Sequence, residues 1–485
     1  MIKEEKDRLE KLEKLAKQGI NSYPAKVERT HTISQVLDGF DKLLKQKAEI
    51  SVCARVMTKR GHGGLIFAHV EDGTSRMQIV FKKDEIGADL HKIFNDLVDA
   101  ADFLEVRGTA FVTQKGEKSI LAKDFKIICK ALLPLPEKWH GLADIETRYR
   151  QRYLDLIANP EVKQIFKKRS QVISAFRQIM DENGFMEVET PMLQSIPGGA
   201  TARPFVTHHN ALDTDLYLRI APELYLKRLI VGGYEKVYEI GRQFRNEGID
   251  WQHNPEFTSL EFYWAYQDYE ALMDFTERII PDVVKEVNGS HRVVYRDVEI
   301  DFSSPWKRKK FKDAILENAK LDIDKLSDKE LIAGMKKLKI DSDYKADRGK
   351  LLDDLYKDTV RAKIVQPTII YDYPIEMEPL AKKCEDNPKY TQRFQPIVCG
   401  MELVKAYTEL NDPQDQLERF QEQQKLRERG DEEAQMIDMD FIAALKHGMP
   451  PTAGWGLGID RFVAILCNQP NLKDVILFPT LKPEK

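Results

Sequence analysis

The chain has 485 residues, which allows about three globular units at roughly 150 residues each. Its five cysteines are odd in number and lie outside the CxxC and Cys/His spacings of zinc sites. We therefore exclude a disulfide-stapled fold and expect reduced thiols without a cysteine-based metal centre. Lys and Arg (75) nearly balance Asp and Glu (79), so any nucleic-acid contact must come from a local patch of charge.

The N-terminal region is predicted to be a helix and linker, residues 1–30. Residues 1–17 are charged and helix-forming, unlike a signal peptide. No apolar run in the sequence approaches the roughly 18 residues that cross a bilayer. We expect a cytoplasmic protein without a membrane partner.

Residues 31–135 are predicted to form a small β-barrel. Turn signals separate five strand-like runs, at 50–57, 65–71, 77–81, 103–112 and 119–129. One helical stretch lies between the third and fourth runs. This pattern favours an OB-fold, which commonly binds oligonucleotides, although it also fits a barrel of another kind.

A linker, residues 136–150, is predicted to lead into a larger domain, residues 151–485. Asn159 and Pro160 predict the start of a long helix, which ends near Gly184. The alternation that follows it is typical of an edge strand.

Residues 305–363 are predicted to be a helical insertion in this larger domain. The stretch is rich in Lys, Asp and Leu, and Ser327 with Glu330 forms a capping-box signal. The basic run 307–310 could contact phosphate, but it fits a solvated helix start better.

Residues 236–266 predict a hairpin that carries chemistry. Period-two alternation places one set of side chains on a face of the first strand: Glu239, Gly241, Gln243, Arg245 and Glu247. The matching set on the second strand is Phe257, Ser259, Glu261 and Tyr263. If the faces coincide, these groups share a cleft that would be costly to bury without a ligand of matching charge. The alternative is a half-exposed sheet with charges on its solvent face.

Two further segments complete the pattern. In residues 400–412, Lys405 and Glu409 share a strand face with Tyr407, while Glu402 points to the opposite face. Alternate glycines, which let a ligand lie against the backbone, stand at Gly454, Gly456 and Gly458. Neither a GxGxxG nor a GxxxxGK phosphate loop is present there.

These segments resemble the motifs of class II aminoacyl-tRNA synthetases and, within them, the lysyl-tRNA synthetase family. The first class motif is matched by the predicted long helix together with residues 185–191. The second is matched by residues 244–258 and the third by residues 454–461. The lysine assignment rests on residues 197–205, 221–228 and 407–412. The resemblance covers nearly the whole chain. It implies an α+β fold with an N-terminal OB-fold barrel, a catalytic domain whose antiparallel sheet is flanked by helices, and a helical insertion.

The resemblance implies a nucleotide site. Arg245 and Arg461 would be catalytic: Arg245 would hold the lysine carboxylate and the α-phosphate, and adenine would stack between Phe257 and Arg461. The implied ATP-binding residues are Arg245, Asn246, Glu247, His253, Asn254, Phe257, Glu402, Gly456, Gly458, Asp460 and Arg461.

The resemblance also implies an amino-acid site, made by Gly199, Glu223, Glu261, Tyr263, Lys405, Tyr407 and Glu409. Glu223 and Gly199 would receive the α-amino group of lysine, and Glu261, Tyr263 and Glu409 its ε-ammonium. A neutral side chain would leave carboxylates unpaired, at about 1 to 3 kcal/mol per unsatisfied group.

Mg²⁺ is the implied cofactor, and here the sequence departs from the family. Glu402 matches one of two acidic metal positions, but the other is Gln395, and Lys405 stands where Asn is usual. The two changes shift the local charge by two units, the charge of one divalent cation. One hypothesis is that Lys405 partly replaces an Mg²⁺; the alternatives are a miscounted register and a site in which Glu402 alone keeps the ion.

The implied partners are ATP, L-lysine, tRNA(Lys) and a second copy of the chain, which would form a homodimer through residues 160–193. In the barrel, Phe67, Gln78 and Asp124 would read the anticodon, since aromatic rings stack on unpaired bases and polar groups bind their edges. Asp124 stands where Glu is usual, and Phe67 could instead be a core residue.

The implied activity is lysine–tRNA ligation, in which lysine and ATP give lysyl-adenylate and the lysyl group then passes to the 3′ end of tRNA. A rival is the related ligase that lysylates an elongation factor, which typically lacks the barrel. A second rival is a non-catalytic tRNA-binding relative, suggested by Gln395 and Lys405.

Overall fold

The structure is a computed structural model that describes residues 2–136, 142–344 and 346–484, with the backbone alone at residue 62. The chain divides into two compact units, Met1–Ala143 and Asp144–Lys485. The division falls inside the predicted linker, of which residues 137–141 lie outside the described residues. The last residues of that linker form a helix, Ile145–Arg150.

The first unit is built on a closed barrel. Its helices are α1 (Lys3–Lys17), α2 (Ile33–Asp38), α3 (Phe40–Gln46), α4 (Lys83–Ile86) and α5 (Ala88–Leu97). Its strands are β1 (Glu49–His62), β2 (Leu65–Glu71), β3 (Arg76–Lys82), β4 (Phe103–Val112) and β5 (Lys118–Cys129). The strand order is β1-β2-β3-β5-β4, and β3 runs parallel to β5. The predicted barrel, with helix between its third and fourth strands, is confirmed.

The barrel interior follows the alternation of its strands. On β2, Ile66, Ala68 and Val70 are buried in the core, while Phe67 and His69 lie on the outer face. Phe67 is therefore a surface residue of the barrel, and the core alternative is wrong for it.

The second unit is larger. Its helices are α6 (Ile145–Arg150), α7 (Arg152–Ala158), α8 (Pro160–Glu182), α9 (Glu223–Val231), α10 (Tyr269–Asn288), α11 (Phe311–Ala319), α12 (Asp328–Lys337), α13 (Arg348–Thr359), α14 (Pro413–Glu428), α15 (Met439–Lys446) and α16 (Ile459–Leu466), with 3₁₀ turns at Arg361–Lys363, Ile375–Met377 and Leu472–Asp474. Its strands are β6 (Met186–Glu187), β7 (Leu193–Gln194), β8 (Val206–His209), β9 (Thr214–Leu218), β10 (Lys236–Phe244), β11 (Glu256–Ala265), β12 (Arg292–Tyr295), β13 (Val298–Asp301), β14 (Lys307–Lys310), β15 (Thr368–Pro374), β16 (Tyr390–Val398), β17 (Met401–Glu402), β18 (Val404–Thr408) and β19 (Thr452–Gly458).

A large sheet organises this unit, in the order β14-β15-β16-β18-β19-β11-β10-β6, with β17 beside β16. The middle strands are antiparallel, as expected, and a parallel strand closes each edge: β14 beside β15 and β6 beside β10. One face packs on α8, α10 and α16, and its buried residues include Tyr238, Leu260, Phe262, Trp455 and Leu457. Because side chains alternate along strands, the residues between them project from the opposite face.

The predicted long helix is confirmed as α8, and the edge strand after it as β6. Asn159 makes no side-chain cap, because its amide donates to Asp155 Oδ1 at 2.7 Å instead. In the described residues, no helix combines the length and apolarity that a membrane crossing requires.

The predicted insertion contains α11, α12 and α13, which share an apolar core with residues of β15 and β16. The capping box of Ser327 with Glu330 at the start of α12 is confirmed. The prediction of a solvated helix start at 307–310 is wrong, because these residues form the edge strand β14. Their charges have partners: Arg308 Nε lies 2.9 Å from Glu277, and Lys310 Nζ lies 2.9 Å from Asp372.

Candidate active site

A cavity opens on the polar face of the sheet, over β11, β18 and β19. Its lining contains most of the predicted site residues: Gly199, Glu223, Arg245, Glu247, His253, Asn254, Phe257, Glu261, Tyr263, Gln395, Glu402, Lys405, Tyr407, Gly456, Gly458, Asp460 and Arg461. Two predicted residues, the exposed Asn246 and the buried Glu409, are not among the described residues that line the cavity. The structure thus brings these residues together, while the role given to each of them stays a prediction.

The register of the β10–β11 hairpin explains why these side chains meet. Glu239 lies opposite Glu261, so the two predicted faces coincide, as expected. β10 ends at Phe244, and the backbone N–H of Arg245 donates to the carbonyl of Pro255 at 2.8 Å. This bond closes the base of the connecting loop and fixes Arg245 at the edge of the cavity.

Two guanidinium groups form the positive side of the cavity. The Arg245 guanidinium carbon lies 5.0 Å from the centre of the Phe257 ring, and Nε of Arg245 is buried without a hydrogen-bond partner. Burial lowers the pKa of Arg245; Glu247 and Glu261 oppose that shift, and Arg461 adds to it. A bound anion would satisfy the free donor and offset the repulsion between the two cations.

Carboxylates and aromatic hydroxyls form the negative side. Glu223, at the start of α9, accepts from the Tyr407 hydroxyl at 2.8 Å on each oxygen. Glu261 accepts from Ser259 Oγ at 3.3 Å. Gly199 has a φ of +89°, and a Cβ there would lie 2.7 Å from Cβ of Glu223, so glycine is required beside this carboxylate.

Glu261 has the most informative titration in the cavity. Burial raises the pKa of its carboxyl to about 8, and the charge of Glu223 contributes to the rise. Arg245 and Arg219 oppose it without cancelling it. A cation placed beside Glu261 would restore its ionised form.

A cation inside this cluster was missed by the sequence analysis. Lys227 lies on α9 one turn after Glu223, and its side chain is fully buried. Its ammonium lies 2.6 Å from Glu223 Oε1 and contacts Glu409 Oε2. The only sequence signal is the four-residue spacing from Glu223, which on a helix usually denotes a solvated ion pair.

The strand face predicted for Glu402 is wrong. Strict alternation from Lys405 places Glu402 on the opposite face, yet both side chains line the cavity. In the pairing of β17 with β16, Glu402 lies opposite Ile397. If that register continued along the strand, residue 406 would lie opposite Arg393, but Tyr407 of β18 lies there instead. One extra residue therefore interrupts the strand at Leu403, like a β-bulge, and the alternation reverses there.

The two residues predicted for Mg²⁺ lie together. Gln395 Nε2 donates to Glu402 Oε2 at 3.2 Å, and Arg361 Nη1 lies 2.8 Å from Glu402 Oε1. Oε1 of Gln395 is buried without a hydrogen-bond partner. One carboxylate and one free amide oxygen fit a single Mg²⁺, which takes few protein ligands and completes its shell with phosphates and water. No cluster of three or more His, Cys, Asp or Glu suited to a metal occurs in the described part of the chain.

Lys405 has a counter-charge that the sequence analysis did not include. Its ammonium lies 2.5 Å from Oε2 of Glu378, a buried carboxylate that also lies 3.5 Å from Arg393. The hypothesis that Lys405 partly replaces an Mg²⁺ stays a prediction. The negative charge of Glu378 must be added to the local charge count on which that hypothesis rests.

Other predicted nucleotide residues build the walls of the site. Asp460 is buried: its Oδ2 accepts from the backbone N–H of Thr258 at 2.9 Å, and its Oδ1 pairs with Arg169. The side-chain amide of Asn254 donates to the carbonyl of Glu256 at 2.6 Å. Their polar atoms hold α16 and the hairpin loop in place.

The alternate glycines of β19 make room for protein side chains more than for a ligand. A Cβ at Gly454 would lie 2.1 Å from Glu409 Oε1, and one at Gly456 would lie 3.3 Å from Cγ of Glu261. Gly458 alone of the three faces open space. The expectation of a bare backbone surface therefore holds only at Gly458.

The predicted anticodon residues lie on neighbouring strands of the barrel. Phe67 is on β2, Gln78 on β3 and Asp124 on β5. Phe67 and Gln78 alternate with core residues, and Asp124 lies at a bulge beside the core residue Phe125, so all three project from the outer face. Gln78 is largely buried there, and its amide donates to Ser119 Oγ at 3.0 Å. Asp124 lies opposite Arg107.

Comparison with known families agrees with both units. A family model described as "tRNA synthetases class II (D, K and N)" matches residues 144–482. A model described as "OB-fold nucleic acid binding domain" matches residues 50–128. The chain belongs to the class II tRNA synthetases.

Curated relatives refine that class. A lysine–tRNA ligase of Carboxydothermus hydrogenoformans is 49% identical over 479 residues, covering 99% of this chain and 98% of the relative. The lysine–tRNA ligases of Pelotomaculum thermopropionicum and Thermosipho africanus are 48% and 45% identical, covering 99% and 100% of this chain and 94% and 97% of their own lengths. The chain belongs to the lysine–tRNA ligase family.

Proposed function

We propose that this chain activates L-lysine with ATP, giving lysyl-adenylate and pyrophosphate, and then transfers the lysyl group to the 3′ end of tRNA(Lys). The observation that carries the proposal is a single cavity with guanidinium groups on one side and carboxylates on the other. The polyphosphate of ATP matches the guanidinium groups, and the two ammonium groups of lysine match the carboxylates.

On the positive side, Arg245 is the residue that brings the reactants together. Its planar donors can bind the lysine carboxylate and the α-phosphate at once, the two groups that must meet when the carboxylate oxygen attacks phosphorus. Arg461 would stack on the face of the adenine ring opposite Phe257. No enzyme nucleophile is needed, because positioning and charge neutralisation account for this class of reaction.

On the negative side, Glu223 would receive the α-amino group, and Glu261 with Tyr263 would receive the ε-ammonium. Lysine carries two ammonium groups, and each would find a carboxylate. A neutral amino acid would leave Glu261 protonated or unpaired in a buried place, which disfavours it.

Glu402 and the free oxygen of Gln395 would hold Mg²⁺ arriving with ATP, together with the phosphates. When bound, the ion supplies charge neutralisation for the leaving pyrophosphate.

The barrel would bind the anticodon loop. Phe67 offers a ring on which a base can stack, and Gln78 and Asp124 offer polar groups to base edges. This assignment is supported by the closed barrel and by the position of these three side chains on its outer face.

We further propose a homodimer that acts in the cytoplasm. The three-stranded sheet β7-β9-β8 and the loops beside it expose large apolar side chains: Met192, Leu193, Val206 and Leu212, at 46%, 47%, 59% and 69% exposure. Exposed apolar groups gathered in one region are typical of an interface.

Lysine-dependent exchange of pyrophosphate into ATP tests the proposal. The full chain should catalyse it, and Arg245→Ala should reduce it by two orders of magnitude or more, on the order expected when a transition-state donor is lost. No exchange by the full chain would favour the non-catalytic relative. Exchange without charging of tRNA(Lys) would favour a ligase that acts on a protein.

A further inference from the structure

Ser259 connects the cavity to a buried glutamine that the mechanism above does not use. Ser259 lines the cavity, and its Oγ donates to Oε1 of Glu261 at 3.3 Å. On the adjacent strand, Gln243 is buried, and its side-chain Nε2 donates to Oγ of Ser259 at 3.1 Å. The amide oxygen of Gln243 has no hydrogen-bond partner among the described residues, so the bond to Ser259 is the one that this side chain makes. The three side chains form one hydrogen-bond chain that begins at Gln243 and ends at the carboxylate.

The direction of this chain is set at Gln243. A side-chain NH₂ group can only donate, so Ser259 accepts from Gln243 and keeps its own single proton for another acceptor. The cross-strand neighbours of Ser259 are Gly241 on β10 and Gly458 on β19, which have no side chains to accept that proton. The proton of Ser259 is therefore directed to Oε1 of Glu261.

The second oxygen of Glu261 remains available for a ligand. Among the described residues, Ser259 alone donates a hydrogen bond to Glu261, and it does so at Oε1. Glu239 lies directly opposite Glu261 on β10, but its own oxygens are engaged by Arg219 and by the hydroxyl of Thr190, which donates at 2.7 Å. Oε2 of Glu261 is thus the oxygen that can face an amino acid in the cavity.

The charged groups around Glu261 come from several segments. Burial raises the pKa of Glu261 to about 8, and the charges of Glu223 on α9 and Glu239 on β10 add to the rise. Arg245, which follows β10, and Arg219, which follows β9, oppose it. On the other side of Glu261, β19 carries no titratable side chain. The carboxyl is mostly protonated at pH 7, and the hydrogen bond at Oε1 does not by itself ionise it.

We propose that Gln243 and Ser259 are positioning residues for lysine recognition: their hydrogen-bond chain holds Oε1 of Glu261, so that Oε2 carries the proton in the empty pocket and meets the ε-ammonium in the filled one. The proposal rests on the proposed function, which assigns the ε-ammonium to Glu261. When lysine binds, the bond between Oε2 and its proton breaks, the proton passes to solvent, and the ammonium becomes the counter-charge. The bond from Ser259 is then charge-assisted and stronger, which favours the bound state.

Lysine affinity at two pH values tests the chain. Calorimetric titration of the full chain with lysine, in the presence of a non-hydrolysable ATP analogue, gives the dissociation constant. Ser259→Ala should weaken binding about tenfold at pH 7, because losing a donor to the carboxylate raises the pKa of Glu261 by about one unit. At pH 9, where much of Glu261 is ionised in both proteins, the loss should shrink to about twofold. A packing defect would weaken binding equally at both pH values.

Two further variants test the order of the chain. Gln243→Met keeps the approximate length of the side chain and removes the donor, so it should weaken lysine binding about threefold at pH 7, as expected for one neutral hydrogen bond. In the Ser259→Ala background the same substitution should add no further loss, because the chain is already broken. Ser259→Thr keeps a hydroxyl at the same place on the strand and should bind lysine like the parent.

The matched control lies in the first unit. There Gln78 Nε2 donates to Oγ of Ser119 at 3.0 Å, and both side chains are buried, as Gln243 and Ser259 are. Ser119→Ala removes the acceptor of an equivalent pair far along the sequence from Glu261. It should leave the affinity for lysine unchanged at pH 7 and at pH 9.

Each outcome decides the question. A Ser259→Ala variant with the parent's affinity, or with an equal loss at both pH values, would overturn the proposal, and so would a Gln243→Met effect that persists in full without the hydroxyl. If Ser259→Ala does not fold, Gln243→Met must lose more affinity at pH 7 than at pH 9. If neither variant folds, the pair is needed for packing and the proposal is wrong. A parent chain that neither binds lysine nor catalyses lysine-dependent exchange would instead contradict the proposed function.

Discussion

At the scale of single residues, Glu261 should set the pH dependence of lysine binding. Its pKa is raised to about 8 in the empty pocket, so it is mostly protonated at pH 7. A bound ammonium favours the ionised form, so the stabilisation that lysine gains grows as pH rises towards that pKa. We expect KM for lysine to fall from about pH 6 to about pH 8, by up to about tenfold per unit. Exchange kinetics across this range would measure it, and Glu261→Gln should flatten the profile.

Gly454 should be intolerant of a side chain. A Cβ there would lie 2.1 Å from Glu409 Oε1 and 2.6 Å from Cε1 of Tyr263, so one of those groups must move. We expect Gly454→Ala to raise KM for lysine by about tenfold or more, the effect of displacing one charged contact. Gly73→Ala, whose Cβ would meet no atom within 4 Å, is the control and should match the parent. An unchanged KM in Gly454→Ala would show that the carboxylate does not need its present position.

The hairpin residues of the site could be predicted because regular strands alternate. Arg245 directly follows the last residue of β10, so strand alternation still predicts which face its side chain occupies. Glu261 lies within β11. Lys227 could not be predicted, because a lysine four residues after a glutamate on a helix looks solvated until the fold buries both. Glu402 was misplaced because one extra residue at Leu403 is invisible to a rule of strict alternation.

At the scale of elements, the insertion shows what local signals can and cannot specify. The capping box before α12 was correctly predicted, because it involves only residues three apart. The strand β14 was not, since its pairing with β15 joins residues about sixty positions apart in sequence, and Lys307–Lys310 has no apolar alternation to indicate a strand.

The cap of α12 should contribute measurably to stability. The Ser327 hydroxyl accepts from the N–H of Glu330, and the Glu330 carboxylate accepts from the N–H of Ser327 at 2.8 Å. Ser327→Ala should lower the free energy of unfolding by about 1 kcal/mol, measured with urea, and should speed amide exchange in α12. Lys329→Ala, on an exposed position of the same helix, should change it by less than about 0.5 kcal/mol. Equal effects of the two substitutions would contradict a role for the cap.

At the scale of the whole molecule, the two units should divide the reaction between them. The cavity lies within the second unit, and the outer-face residues of the barrel lie within the first. Phe67→Ala should raise KM for tRNA in charging by about fivefold or more, since one stacked base is worth about 1 to 3 kcal/mol. It should leave lysine-dependent exchange unchanged. Val112→Ala, at an exposed barrel position, is the control, and a loss of exchange in Phe67→Ala would contradict the division.

Self-association should depend on the exposed apolar residues of the β7-β9-β8 sheet. Leu193 is 47% exposed on β7, and a carboxylate there would have to be desolvated in an apolar interface. We expect Leu193→Asp to convert dimer to monomer in sedimentation velocity. Leu338→Asp, at a position 44% exposed in the insertion, should remain dimeric. A dimer that survives Leu193→Asp would locate the interface elsewhere.

The extra residue at Leu403 lets this segment shorten without exchanging its faces. Deleting Leu403 would leave Glu402 two positions before Lys405 in a regular strand, so both side chains would still face the cavity. Inserting one residue between Lys405 and Tyr407, where β18 is regular, would instead turn one of those two side chains away from it. Among sequences that share this fold, a gap of one residue should therefore occur at Leu403 before it occurs within β18.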